Sequence, residues 1–196
     1  MSSAPAATNP LLRLKPSDPE YQQLLADAEA KLTAAGFDPA SFRAQPIVWG
    51  DQDSFQHVNN TRYVRFFEST RMQWMTTICE AWKGPERRWE MSVPRGISLI
   101  LGQIDVHFRR PVTYPDTVLF GYCADPPKPG QESSPKFHAV ATGYSLAQQD
   151  FVVHSKETLV WYNYDLLKKC SPPKEASDAL YRRARHIDLR TLHHKH

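Results

Sequence analysis

Asp51 and Asp53 stand one residue apart, His57 follows, and the amide pair Asn59-Asn60 comes directly after it. Carboxylates can attack an electrophilic carbon or take a proton from water, and a histidine can orient or deprotonate that water. The stretch, Trp49 through Tyr63, ends where the longest apolar helical pattern of the chain begins. A helix start leaves backbone N–H groups unpaired with the positive end of the helix dipole behind them, so an oxygen placed there is polarised without a charged side chain.

The surrounding elements must hold this loop. From Asn60 onward, Val64, Phe67, Trp74, Met75, Ile78 and Trp82 recur at helical spacing. They predict a helix of about six turns, ended by Gly84-Pro85. Phe42 to Trp49 reads as the strand entering the loop, and Pro46, which cannot donate to a ladder, sends it to a sheet edge or a bulge. Beyond the helix, Ile97, Leu99 and Leu101 alternate in one phase and Ile104, Val106 and Phe108 in the other. A bulge near Gly102 and Gln103 must therefore shift the register. The turn Tyr114-Pro115-Asp116 closes that strand, and Val118, Phe120 and Tyr122 make the next. Phe137 to Tyr144 and Val152 to Tyr162 pair as a hairpin through Gln148-Gln149-Asp150. The expected class is α+β: an antiparallel curved sheet of about five strands wrapped around one long central helix.

The ends read differently. Residues 1 to 16, rich in Ala, Ser and Pro, are expected to bury little, and Asp18-Pro19-Glu20 opens a peripheral helix that stops at Gly36. Lys168 to His196 is polar, with a short helix after Pro172-Pro173. The terminal His193-His194-Lys195-His196 reads as a solvated tail, because no carboxylate or ordered partner accompanies it, and no metal is called for. The expected division is an N-terminal extension over 1–40, a central domain over 41–165 and a polar C-terminal extension over 166–196.

With 196 residues and 41% hydrophobic content, one core is the expectation. A net charge of +3, spread along the chain, makes no case for a nucleic-acid partner. Cys79, Cys123 and Cys170 are far apart and odd in number, which fits a reducing compartment. No apolar run approaches the roughly 18 to 20 residues of a membrane span, and the N-terminus lacks a secretory core. A cytoplasmic location follows, with mitochondria kept open by Arg13 and Lys15 in an acid-free leading segment.

The central stretch resembles the hotdog-fold acyl-CoA thioesterases of the 4-hydroxybenzoyl-CoA thioesterase type. The resemblance rests on Gly50-Asp51-Gln52-Asp53, His57-Val58-Asn59-Asn60, Tyr63, the helical Glu68 with Arg71, and Phe108-Arg109-Arg110-Pro111. It covers about residues 42 to 165. It implies a hotdog fold and hydrolysis of an acyl-CoA thioester to free acid and CoA, without a cofactor. By resemblance, Asp53 rather than Asp51 is the nucleophile or general base, and the backbone amide of Asn60 polarises the carbonyl. Gln56, His57, Asn59, Tyr63, Arg109 and Arg110 are the implied substrate-binding residues, in a homodimer or homotetramer that admits the acyl group between subunits. Members usually carry a small residue, often glycine, where this chain has Gln56, whose long amide could narrow the acyl channel or bond to the substrate.

Each of these residues also has a structural role open to it. Asp53 could bond its own turn backbone, Asn59 could cap the helix, and Tyr63 could be a core aromatic with a satisfied hydroxyl. His57 could pack and donate a structural hydrogen bond, and Arg109 and Arg110 could be solvated. At most one of that adjacent pair should face a given ligand. Glu68 and Arg71, three apart, favour an intrahelical ion pair over catalysis. The alternative to hydrolysis is a non-catalytic hotdog subunit for acyl binding or assembly, with a hydratase on the same fold as a third reading.

Overall fold

A computed structural model describes residues 9–192. A first helix, α1 (Pro19–Ala34), begins after Asp18 with Pro19 at its first position and ends before Gly36, whose φ of 97° suits a residue without a Cβ. β1 (Arg43–Ile47) leads to the loop, and α2 (Asn60–Lys83) follows it. The long strands β2 (Ile97–Phe108), β3 (Asp116–Ala124), β4 (Lys136–Ser145) and β5 (Asp150–Asn163) come next. Their spatial order is β1-β3-β4-β5-β2, every neighbouring pair antiparallel, so Pro46 does lie on an edge strand. The β2–β5 register shifts between Leu101 and Gln103, where the change of hydrophobic phase demanded it. A two-residue strand, β6 (Lys168–Lys169), pairs with the end of β5 and was not expected; a short helix, α3 (Lys174–Tyr181), follows the proline pair.

The sheet curls around α2. Phe67, Trp74 and Ile78 of the helix meet Phe120, Tyr122, Leu159 and Trp161 of the strands in one buried cluster. Each such side chain contributes about 1.5–3 kcal/mol relative to an exposed one. Phe67 stands edge-on to Phe120 at 5.2 Å, and Trp74 stacks on Tyr122 at 5.4 Å. This is the expected helix-in-curved-sheet arrangement, and it leaves the N-terminus of α2 at the end of the sheet where β2 finishes, since Tyr63 packs edge-on against Phe108.

The outer face of the sheet is covered as well. Leu32 of α1, Phe37, Ile187 and Leu189 close over Leu119, Cys123 and Val140 in a second core. The approach is close: a Cβ on Gly121 would meet Leu32 Cδ2 and Phe42 Cε1 at 2.9 Å. Burial pushes the Cys123 thiol up to about 11. Leu11 is also buried in this core, so the leading segment buries more than its composition promised; residues 1–8 and the histidine tail lie outside the described residues.

Candidate active site

The loop between β1 and α2 is a small closed ring of chain. Gln52 and Val58 form an isolated antiparallel bridge, the Asp53 N–H donates to the His57 carbonyl at 2.9 Å, and the Asn59 N–H donates to the Asp51 carbonyl at 2.9 Å. The Val58 N–H reaches the Val112 carbonyl at 2.8 Å, and Gln52 Oε1 accepts from the Tyr114 N–H at 2.9 Å, so the segment after β2 clamps the ring from outside. This brings Asp53, Gln56, His57, Asn59, Asn60 and Tyr63 into one neighbourhood.

Asp51 is the buried member of the carboxylate pair. Its Oδ2 accepts from the Val48 N–H at 3.0 Å and its Oδ1 lies 3.6 Å from Arg62 Nε, while Arg62 Nη2 donates to the Gly50 carbonyl at 3.1 Å. Asp51 therefore ties the loop entrance to the first turn of α2. Asp53 is half-buried; its Oδ1 accepts from the Phe55 N–H at 2.9 Å, and its Oδ2 has no partner among the described residues. A turn bond and a free carboxylate oxygen thus coexist in one side chain. His57 and Gln56 are exposed. Gln56 has φ 62°, the left-handed region that glycine enters without Cβ strain.

Asn59 is the N-cap of α2: its Oδ1 accepts from Thr61 N at 3.0 Å and from Thr61 Oγ1 at 2.8 Å. The Arg62 N–H is taken by the Asn59 carbonyl at 2.9 Å. That leaves the Asn60 N–H, which has no acceptor among the described residues, at the positive end of a helix 24 residues long. The donor comes from the main chain, and the Asn60 side chain is exposed.

Tyr63 is 3% exposed, edge-on to Phe66 and Phe108. Burial first, and the charge of Asp116 second, raise its phenol well above the usual range, so it stays neutral. The arginine pair lies just beyond the end of β2, where the Arg109 and Arg110 N–H groups both donate to the Val152 carbonyl, at 2.9 and 3.2 Å. Arg109 lines a cavity of about 820 Å³ on the outer face with His107, His138 and Lys156, and Arg110 Nη2 pairs with Asp150 Oδ2 at 2.7 Å. Arg71 does not pair along the helix with Glu68, which is exposed; it turns into the core to Glu157 on β5. The signal for that was a glutamate in the inward phase of β5, between Val153 and Leu159.

Exposed apolar groups ring the loop. Trp49 is 74% and Phe55 80% exposed, and Val48, Val64, Phe108 and Tyr114 are also exposed. No group of three or more His, Cys, Asp or Glu among the described residues could hold a metal ion.

Residues 47–180 match the family described as the thioesterase-like superfamily. No curated protein matches the chain. Among solved structures, the PA2801 protein from Pseudomonas aeruginosa is 22% identical, with a TM-score of 0.55, over 70% of this chain and 95% of the other. A thioesterase from Thermus thermophilus, solved with coenzyme A and zinc, is 15% identical with a TM-score of 0.58, over 76% and 95%. The DHNA-CoA thioesterase from Staphylococcus aureus is 12% identical with a TM-score of 0.51, over 66% and 78%.

Proposed function

The chain belongs to the thioesterase-like superfamily, and from that premise we propose that it hydrolyses an acyl-CoA thioester at the Asp53 loop, with the Asn60 N–H receiving the carbonyl oxygen. The observation that carries this reading is the unpaired main-chain donor at the start of α2, closed into one ring of chain with a carboxylate whose second oxygen is free.

The chemistry needs no more than these parts. The thioester oxygen, set against the Asn60 N–H and the helix dipole, gains negative charge as the carbonyl carbon is attacked. Asp53 either attacks that carbon itself, giving a mixed anhydride that water then opens, or takes a proton from the water that attacks. In both routes the carbon–sulfur bond breaks, CoA leaves as its thiol, and the acid is released. Asp51 and Arg62 act behind the site by fixing the loop to the helix. Tyr63 and Phe108 offer an apolar wall for the acyl group, with His57 and Gln56 at the open side.

The apolar rim of Trp49, Phe55, Phe108 and Tyr114 supports a homo-oligomer in which a second copy covers it and completes the acyl pocket. A strictly monomeric solution mass would contradict this. Among the described residues no helix is long and apolar enough to cross a membrane.

The turn bond from Phe55 N–H to Asp53 favours a second reading, a non-catalytic acyl-binding or assembly subunit in which Asp53 only shapes the loop. Thiol release from short, long and aromatic acyl-CoA esters by the wild type and by Asp53→Asn separates the two. The hydrolase reading expects release by the wild type and its loss in the variant; no Asp53-dependent release with any ester leaves the binding reading.

A further inference from the structure

We propose that the tip of the β5–β6 hairpin docks the protein on an anionic lipid surface. The turn that joins the two strands, Tyr164 to Leu167, presents Leu166 and Leu167 outward, 60% and 74% exposed. Leucine is a poor choice for this turn. Leu167 has φ 51°, the left-handed region that turns usually fill with Gly, Asn or Asp.

The tip is held rather than loose. Asn163 Oδ1 accepts from the N–H groups of Asp165 and Leu166, both at 3.0 Å. Asp165 Oδ1 accepts from the Gly96 N–H at 3.1 Å, and the Tyr164 N–H donates to the Gly96 carbonyl at 2.8 Å. The leucines are therefore displayed on a fixed support, which lowers the entropy lost on insertion.

Charge chooses the partner. Lys168 and Lys169 follow the leucines directly, and Arg95 adjoins the Gly96 that anchors the turn; all three are exposed and none is in an ion pair among the described residues. Asp165, the acid at the tip, has one carboxylate oxygen committed to Gly96. Tyr162 and Tyr164, edge-to-face at 5.1 Å and half-buried, sit at the base, where an aromatic ring with a polar end suits the boundary between headgroups and acyl chains. Leucines that can enter the acyl boundary, cations level with lipid phosphates and interfacial tyrosines form a lipid-surface set. A nucleic acid would use the cations but would find no base-stacking surface on two leucines.

Gly96 precedes the start of β2, whereas Phe108 at its far end packs on Tyr63. Twelve strand residues separate these ends, roughly 40 Å at the rise of an extended strand. Docking at the tip therefore leaves the Asp53 loop clear, and the inference does not depend on thioester hydrolysis.

The test is sedimentation of the full chain with vesicles of mixed phosphatidylglycerol and phosphatidylcholine, and with phosphatidylcholine alone. The wild type is expected to bind the mixed vesicles and to release them at raised salt. Leu166→Ser with Leu167→Ser should weaken binding by about tenfold or more, and Lys168→Gln with Lys169→Gln by roughly fivefold per cation. Unchanged circular dichroism and unchanged solution turnover of both variants confirm that fold and loop are intact. A wild type that ignores anionic vesicles, binding that survives the leucine double substitution, or tip-dependent binding to single-stranded RNA in place of vesicles would each overturn the proposal.

Discussion

Arg71 on α2 and Glu157 on β5 form an ion pair inside the core, with Arg71 Nη1 3.0 Å from Glu157 Oε2 and 3.1 Å from Oε1. Tyr122 from β3 donates to Glu157 Oε1 at 2.7 Å, and its hydroxyl also lies 3.0 Å from the Phe67 carbonyl. The helix and two strands thus meet at one polar knot in an otherwise apolar interior. Burial opposes the charge on Arg71, but Glu157 and Tyr122 outweigh it and hold the guanidinium above its ordinary range.

Breaking that knot from one side should be severe. Arg71→Ala or Glu157→Ala leaves an unpaired buried charge and is expected to cost about 3–5 kcal/mol. Replacing both, with Arg71→Met and Glu157→Leu, should recover most of it, since Tyr122 keeps Phe67 as a partner. Denaturant midpoints of the three variants measure this; a single substitution costing under about 1 kcal/mol would show that the pair is solvated.

The main-chain donor at Asn60 can be deleted without a large change in fold. Proline is well tolerated at the first position of a helix, and the preceding Asn59 is extended at ψ 137°, as a residue before proline must be. Asn60→Pro removes the N–H alone and should lower kcat by about 10²–10³-fold with near wild-type unfolding, while Asn60→Ala should turn over almost normally. Equal rates in the two variants would take the oxyanion role away from this donor.

Gln56 offers a test of backbone against side chain. Gln56→Gly at φ 62° should relieve left-handed strain and raise stability by about 1 kcal/mol. Because the Gln56 side chain is exposed, the ranking of acyl-CoA esters should stay as in the wild type. A changed ranking at unchanged stability would assign Gln56 to the acyl channel.

Asp116 should dominate one part of the pH profile of stability. It is 5% exposed, and burial pushes its carboxyl up to about 6 despite hydrogen bonds from Ser145, Ala147 and Thr117. The folded state therefore holds this proton more tightly than the unfolded chain, whose ordinary value is 3.8. The stability linked to Asp116 is present in full below about pH 4 and is lost as pH rises through about 6, on the order of 3 kcal/mol. Asp116→Asn keeps an oxygen for the Thr117 and Ala147 N–H groups and places an amide opposite Ser145 Oγ. Unfolding curves between pH 4 and pH 7 should lose this slope in the variant, and a slope that persists would have to come from another group.

Local features were legible because their causes are local. The cap at Asn59, the long amphipathic helix, the Gly84 stop and the bulge after Leu101 each follow from residues within a few positions of one another. The closing of the Asp51 to Asn59 loop into a ring was not legible, since Val112 and Tyr114, more than fifty positions away, clamp it. The short β6, likewise, has only two residues and no alternation to read.

What only the tertiary structure decided are choices between distant partners. Arg71 had Glu68 within reach along its own helix but pairs with Glu157, 86 positions away, because the curled sheet buries both side chains together, where leaving either charge unpaired would be costly. Arg109 lines the outer cavity and Arg110 meets Asp150 where the chain leaves β2 and both N–H groups share the Val152 carbonyl of β5. Residues from both ends of the chain, Leu11 and Leu32 from one and Ile187 and Leu189 from the other, close over the outside of the sheet in one apolar cluster. By itself, then, the sequence determined where the Asp51–Asn60 loop lies and that a long helix begins after it. The long-range packing decided which charges are buried and which of the loop's neighbours can face it, since periodicity carries the direction of a side chain but not the identity of what it meets.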